Sequence, residues 1–345
     1  MSVSNLLKSF CFYAGNTSLA THAVNSSNPD STRGPSRLVI VVFSLVVGTF
    51  SLVGTVGNGL VILAFCTYRK VRTTANTFIL SISISDVIMT ALQYPTRVAA
   101  MATGAPPLGA AMCPILGALT FFSIYVSFFS VVLIALSRYV RITKSIDTYR
   151  KLFGPFRSFL WVCLSWVVSA VLVAPGFLGY GKFGWNSRNK TCGQVYPHPY
   201  QSHYFSNVFG VTCWVTLCLA VAIFLKIYFD VRNSVMKLVE ANSGGDRHPD
   251  QHVPKRLIKQ TKHMFIFFCA LAISITPYVL LNSIDTHVRF LPSAVRIMLI
   301  ALFGLNHVMN PFLYAWKLTI FKRAFSALFR CESRLAVQPR AAVNK

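Results

Sequence analysis

The chain has 345 residues, 54% hydrophobic and only 12% charged, with a mean hydropathy of +0.55 and a formal net charge of +24. A soluble domain carries about 25% charged residues, so a fold solvated by water alone is excluded. The positive excess suits a basic face beside anionic lipid, and no nucleic-acid partner is expected.

Residues 1–37 are polar and contain no short apolar core with a cleavage site, so they read as an outer tail before a first span that serves as its own insertion signal. Uncharged stretches follow over residues 38–68, 73–84 resuming at 87 after Asp86, 111–137, 158–181, 204–225, 264–284 and 297–316. Each approaches the ~20 residues that a helix needs to cross ~30 Å of hydrocarbon, and a helix satisfies its own backbone there. The expected fold class is an all-α membrane protein, a seven-transmembrane helix bundle occupying residues 38–316.

With the N-terminus outside, 24 of the 33 Lys and Arg fall on the inner side and nine on the outer, so the positive-inside rule selects that orientation. Asn16, Asn25 and Asn189 each begin an Asn-x-Ser/Thr glycosylation sequon on the outward side. Cys113 at an outer helix end and Cys192 in the second outer loop are candidates for an oxidised pair, two free thiols being the alternative. The longest inner connection, residues 226–262, has a middle rich in Gly, Ser, Asp and Pro that reads as a loop. Residues 317–345 form the tail. In it Leu318, Phe321, Phe325, Leu328 and Phe329 share one helical face, which predicts a short amphipathic helix along the membrane surface. Cys331 follows as a site for S-palmitoylation.

Asp86 is the one carboxylate deep inside a span, where an ionisable group is costly unless it faces polar partners. Asn58, Ser127, Asn306 and Asn310 lie at comparable depth. An acid among oxygen donors suits a small hard cation such as sodium; a hydrogen-bonded cluster with water is the alternative. His307 reads as a packed, hydrogen-bonded histidine rather than a proton or metal group. Pro277 and Pro311 within their spans, and Pro175 near the outer end of the fourth, each remove a backbone donor and can kink a helix; prolines simply tolerated in membrane helices are the alternative. No phosphate cradle, His-Glu-x-x-His pair or Gly-x-Ser-x-Gly elbow occurs, so no enzyme is expected. A transporter or channel is the alternative class, but it would show more intramembrane charge and two related halves.

Gly57-Asn58, Asp86, Cys113 followed at 25 residues by Ser137-Arg138-Tyr139, Trp166 with Pro175, Pro277, and Asn310-Pro311-x-x-Tyr314 with Phe321 appear in this order. The series resembles the motifs of rhodopsin-like (class A) G-protein-coupled receptors over residues 38–331. The stretch from Phe268 through Pro277 to Asp285 is similar to receptors for medium-chain fatty acids and to the melatonin and Moody-like group; a peptide-type receptor of the same fold is the alternative.

The resemblance implies a plasma-membrane receptor, N-terminus extracellular, that binds an extracellular ligand and activates a heterotrimeric G protein. Arg138 would receive the G-protein C-terminal helix, with Tyr139 beside it and Tyr228 and Tyr314 supporting the open state. Asp86, Ser127, Asn306 and Asn310 would hold sodium as an allosteric ligand, and Cys113 and Cys192 would tie the second outer loop over the pocket. Ser137 departs from the usual acid, Ile275 from the usual tryptophan and Ala220 from the usual proline. Gly304 stands where opsins carry the retinal lysine, so neither retinal nor another cofactor is expected. Thr120 stands in place of the amine-binding aspartate.

The same offsets place Thr120, Ile124, Thr212, Tyr278, Asn282, Arg296 and Ile300 in the ligand pocket. Arg97, Lys182, Arg188, Lys190, Arg289 and Arg296 lie at the outer mouth against Asp285; they read either as scattered solvated charges or as the site of an anionic, partly apolar ligand such as a fatty acid. Arg188 and Arg296 are the candidates to hold its carboxylate.

Overall fold

Ser36 opens the first span: its hydroxyl accepts from the Val39 N–H and so supplies one of the bonds that a helix start lacks. From there the computed structural model describes residues 36–187, 190–195, 199–243, 269, 272–281, 292–317 and 319–329. Among these, six helices are long and apolar enough to cross a membrane: Arg37–Thr67, Thr74–Thr103, Gly109–Thr143, Pro155–Gly176, Asn207–Ser234 and Ala294–Leu313. Ala272–Leu281 is a shorter apolar helix where the sixth span is expected.

Burial ranks the spans by position. In its most apolar window the third span is 67% buried and the first only 17%, so the third is the axis and the first lies at the rim. The rim exposes Leu38, Leu45, Leu52 and Val56 of the first span and Phe159, Val167 and Val171 of the fourth. In water such a surface would be unfavourable by roughly 25 cal/mol per Å²; against lipid tails it is the required one. Between spans, short polar side chains supply the cohesion that hydrophobicity cannot give in lipid. Ser81 pairs with Ser130 at 3.2 Å, Ser85 with Ser127 at 2.9 Å, and the Trp166 indole N–H donates to Ser81 at 3.0 Å.

Two prolines create carbonyls that need outside donors, and the first span meets both. The second span widens into a π turn over Ile88–Gln93, in which the Tyr94 N–H reaches back to Met89. The next residue in that pattern is Pro95, which has no N–H for the Thr90 carbonyl. The Ser51 hydroxyl donates to that carbonyl at 2.7 Å. In the seventh span Pro311 leaves the carbonyl of His307 without its i+4 donor, and the Asn58 side-chain amide donates to it at 2.9 Å. A Cβ at Gly57 would lie 3.0 Å from the Pro311 ring, so the Gly57-Asn58 pair combines close approach with repair of the backbone.

Pro175 stands at the outer end of the fourth span, where the sequence places it. It lies in a 3-10 turn, Ala174–Gly176, that ends the fourth helix and does not kink its interior. Beyond it, strands β1 (Lys182–Asn186) and β2 (Thr191–Val195) form an antiparallel hairpin with Trp185 opposite Cys192. Cys192 is disulfide-bonded to Cys113 of the third span, and Trp185 packs on the bridge. A Cβ at Gly117 would come within 3.1 Å of the Gly193 backbone, so the hairpin rests directly on the third helix.

At the opposite end, a short helix Ile146–Phe153 docks Phe153 edge-on against Phe78 at 6.1 Å. The helix Thr319–Phe329 buries Phe321, Ala324 and Ala327 while Lys322 and Arg323 are exposed, the amphipathic pattern expected of a segment lying on a membrane surface.

Candidate functional site

Under the hairpin, at the end of the bundle away from Arg138, lies a cavity of about 90 Å³. Phe121, Tyr278, Leu281 and Ile300 give it apolar side chains, Asn186 and Gln194 of the hairpin give it amide groups, and Arg97 and Arg296 give it cations. A smaller neighbouring cavity shares Arg97 and Ile300 and adds Lys190. The floor is aromatic: Phe209 lies 5.4 Å from Phe121 and 6.4 Å from Tyr278, and Tyr278 lies 4.9 Å from Phe303.

Of the expected pocket residues, Tyr278, Arg296 and Ile300 line this cavity. Thr120 does not. It is buried, and its hydroxyl faces the Gln93 side-chain oxygen and the Leu116 carbonyl, each at 3.1 Å, while the Gln93 amide donates to Leu116 at 3.0 Å. A polar side chain inside a membrane bundle takes the nearest partner, and Gln93 supplies it from the second span. Ile124 is packed in the aromatic core below. Thr212 is half-buried and its carbonyl accepts from Thr216, so it does not line the cavity either. Asn282 and Arg188 lie outside the described residues.

Eight lining residues, among them Arg97, Phe121, Leu281, Asn186 and Gln194, were not placed in the pocket by the motif offsets. Arg97 had a signal, since it was among the cations of the outer mouth and follows Asp86 by three helical turns. The hairpin residues had none, because a loop has no periodicity to place its side chains. The Gly304 position is tight: the Tyr94 hydroxyl donates to the Gly304 carbonyl at 2.8 Å, and a Cβ there would meet that hydroxyl at 3.1 Å, so Tyr94 would have to give way slightly.

Deeper in the bundle, Asp86 is fully buried. Its Oδ1 takes the Ser127 hydroxyl at 3.3 Å and Nδ1 of His307 at 2.7 Å, and its Oδ2 accepts from the Asn310 amide at 2.6 Å. The expected set is corrected here. Asn58 is engaged with the Gly54 and His307 carbonyls. Asn306 lines a second cavity beside the cluster, together with Ser127, Asn310, Thr216, Ala220 and Ile275. His307 is packed and hydrogen-bonded as expected, but its partner is the acid itself. The second cavity lies where Ala220 and Ile275 replace the expected proline and tryptophan.

At the Arg138 end, that arginine is half-buried and, among the described residues, has no carboxylate partner. Ser137 lies 3.5 Å from the Tyr149 hydroxyl, and Arg141 stacks over the Tyr149 ring at 5.1 Å. Lys226 lies over the Tyr139 ring at 5.2 Å, a contact between the third and fifth spans. Tyr228 is exposed, its ring edge-on to Phe229 at 5.6 Å. The Tyr314 side chain, Cys331, and the sequon residues Asn16, Asn25 and Asn189 lie outside the described residues.

Residues 57–314 match the family model described as 7 transmembrane receptor (rhodopsin family). The chain is 27% identical to melatonin receptor type 1C of Gallus gallus, over 77% of this chain and 71% of that protein. It is 26% identical to neuropeptide Y receptor type 2 of Mus musculus, over 89% of this chain and 80% of that one. The crystal structure of squid rhodopsin superposes with a TM-score of 0.74 over 87% of each chain at 16% identity, a likeness of fold.

Proposed function

Because the chain belongs to the rhodopsin family of seven-transmembrane receptors, we propose that it is a plasma-membrane G-protein-coupled receptor for an anionic, partly apolar ligand of the fatty-acid kind. The tail before Arg37 is then extracellular and the Arg138 end cytoplasmic, the orientation that its positive charges favour. Relatives named for melatonin and for neuropeptide Y indicate that this fold serves ligands of different chemistry, so the ligand class rests on the cavity itself.

The observation that carries the reading is the convergence of Arg97 and Arg296 on one cavity that also presents Phe121, Tyr278, Leu281 and Ile300 opposite the polar hairpin. A guanidinium matches a carboxylate through two parallel, charge-assisted hydrogen bonds, and the apolar walls suit a hydrocarbon tail. Below the cavity, the ring series from Phe121 through Phe209, Tyr278 and Phe303 ends at His307, 6.2 Å from Phe303. A ligand that favours one packing of these rings biases the buried cluster and, through the seventh span, the G-protein end. The space beside Ala220 and Ile275 gives the fifth and sixth helices room to repack. At the cytoplasmic end Arg138 and Tyr139 meet the heterotrimeric G protein.

The test is nucleotide exchange on a G-protein panel, driven by straight-chain carboxylic acids and their primary amides. Arg97→Ala and Arg296→Ala are expected to reduce acid potency roughly 10- to 100-fold, the loss of a hydrogen bond to a charged group, and amide potency far less. Equal losses for acid and amide, activation only by cationic amines, or substrate flux without exchange would overturn this reading.

A further inference from the structure

The acid at the centre of the bundle already has three partners from this chain. His307 Nδ1 lies 2.7 Å from Asp86 Oδ1, the Ser127 hydroxyl is directed at the same oxygen, and the Asn310 amide donates to Oδ2. Both Asp86 and His307 are fully buried. Two lone pairs do not face each other at 2.7 Å, so a hydrogen lies on the line between Nδ1 and Oδ1 whichever atom carries it. A carboxylate offers about four lone-pair positions, and protein hydrogens take three of them.

A small hard cation needs several free oxygen lone pairs at once, and at Asp86 it would meet N–H dipoles already directed at the same oxygens. Asn58 Oδ1 and Asn310 Oδ1 accept from no described residue, but these neutral oxygens do not balance a charge taken out of water. The imidazole is also fixed in place. It lies 6.4 Å from the Tyr94 ring and 6.2 Å from Phe303, and the carbonyl of the same residue holds Asn58. The sodium ligand set expected from the sequence therefore does not fit these residues.

We infer that His307 is the resident partner of Asp86 in place of a mobile sodium ion, so that the resting bundle of this receptor is insensitive to sodium. The partner is covalently part of the seventh span and links it to the second in any salt. The inference depends on no ligand and stands apart from the arginine cavity.

The experiment is thermal unfolding of the purified full-length receptor in sodium chloride and in choline chloride at equal ionic strength, alongside saturation binding of radioactive sodium. The native chain is expected to melt at the same temperature in both salts and to show no saturable sodium binding. His307→Ser, which removes the imidazole and leaves an oxygen, is expected to melt higher in sodium than in choline and to bind sodium saturably. Adding Asp86→Asn to that variant should abolish both effects. A sodium-specific rise in melting temperature of the native chain would overturn the inference, as would a folded His307→Ser protein with no sodium response. Should His307→Ser fail to fold, His307→Asn takes its place, and the native measurement decides on its own.

Discussion

Asn58 illustrates how one side chain can serve the backbone of a distant helix. Its amide donates to the His307 carbonyl that Pro311 leaves without a donor, so the asparagine and the proline are two halves of one device. Asn58→Ala should lower stability by about 1–3 kcal/mol, the usual cost of a buried acceptor left without a partner. Pro311→Ala restores an N–H at the position that would bond His307, so Asn58→Ala should cost less in that background. A double-mutant cycle of melting temperatures measures this coupling; strictly additive losses would show that the two residues act separately. Thr120 makes the complementary point. It stands where amine receptors carry an acid, yet its hydroxyl is committed to Gln93 and Leu116, so a motif position by itself does not make a side chain available to ligand.

The hairpin is the element that closes the cavity beside Arg97 and Arg296, and it is held at two nearby points. The Cys113–Cys192 bridge ties β2 to the third span, and Gly117 lets the Gly193 backbone approach that helix one turn further along. Cys113→Ser and Cys192→Ser should therefore lower surface expression to the same extent, with the double variant no worse than either single one, since all three lose one shared bond. Flow cytometry of a tagged receptor gives the measurement; additive losses would mean that the two thiols have separate roles. The π turn in the second span is a second local device. It releases the Thr90 carbonyl to Ser51 and so joins the first two spans at the level of the Asp86 cluster.

For the molecule as a whole, the proposed function puts the balance between resting and signalling forms in contacts at the Arg138 end. Ser137 offers no carboxylate to the neighbouring arginine, and its one described side-chain contact is with Tyr149. Restoring the acid with Ser137→Asp should lower basal nucleotide exchange at equal expression. Ser137 is buried and Arg138 half-buried, so desolvation offsets most of the Coulombic gain and the expected decrease is several-fold at most. Exchange that stays level or rises would show that Tyr149, Arg141 and the Tyr139–Lys226 contact set the resting form.

The number, length and class of the spans were legible in the sequence, because hydrocarbon imposes a length of about 20 apolar residues and a helical backbone on any segment that crosses it. Arg138, Asp86, Cys113 and the Asn310-Pro311 pair stood out for the same reason: a charge, a thiol at a boundary or a proline is conspicuous in an apolar run. The partners of these groups were not legible. His307 meets Asp86 from 221 residues away, and its ring reaches the acid only because Asn58, Tyr94 and Phe303 fix the rotation of the seventh span against the second. Arg97 joins Arg296 because the second and seventh helices converge beneath a hairpin whose position follows from a disulfide and a glycine contact. One-dimensional hydropathy records how deep a residue lies; which face of its helix it occupies and what it meets there are set by packing among all the helices together.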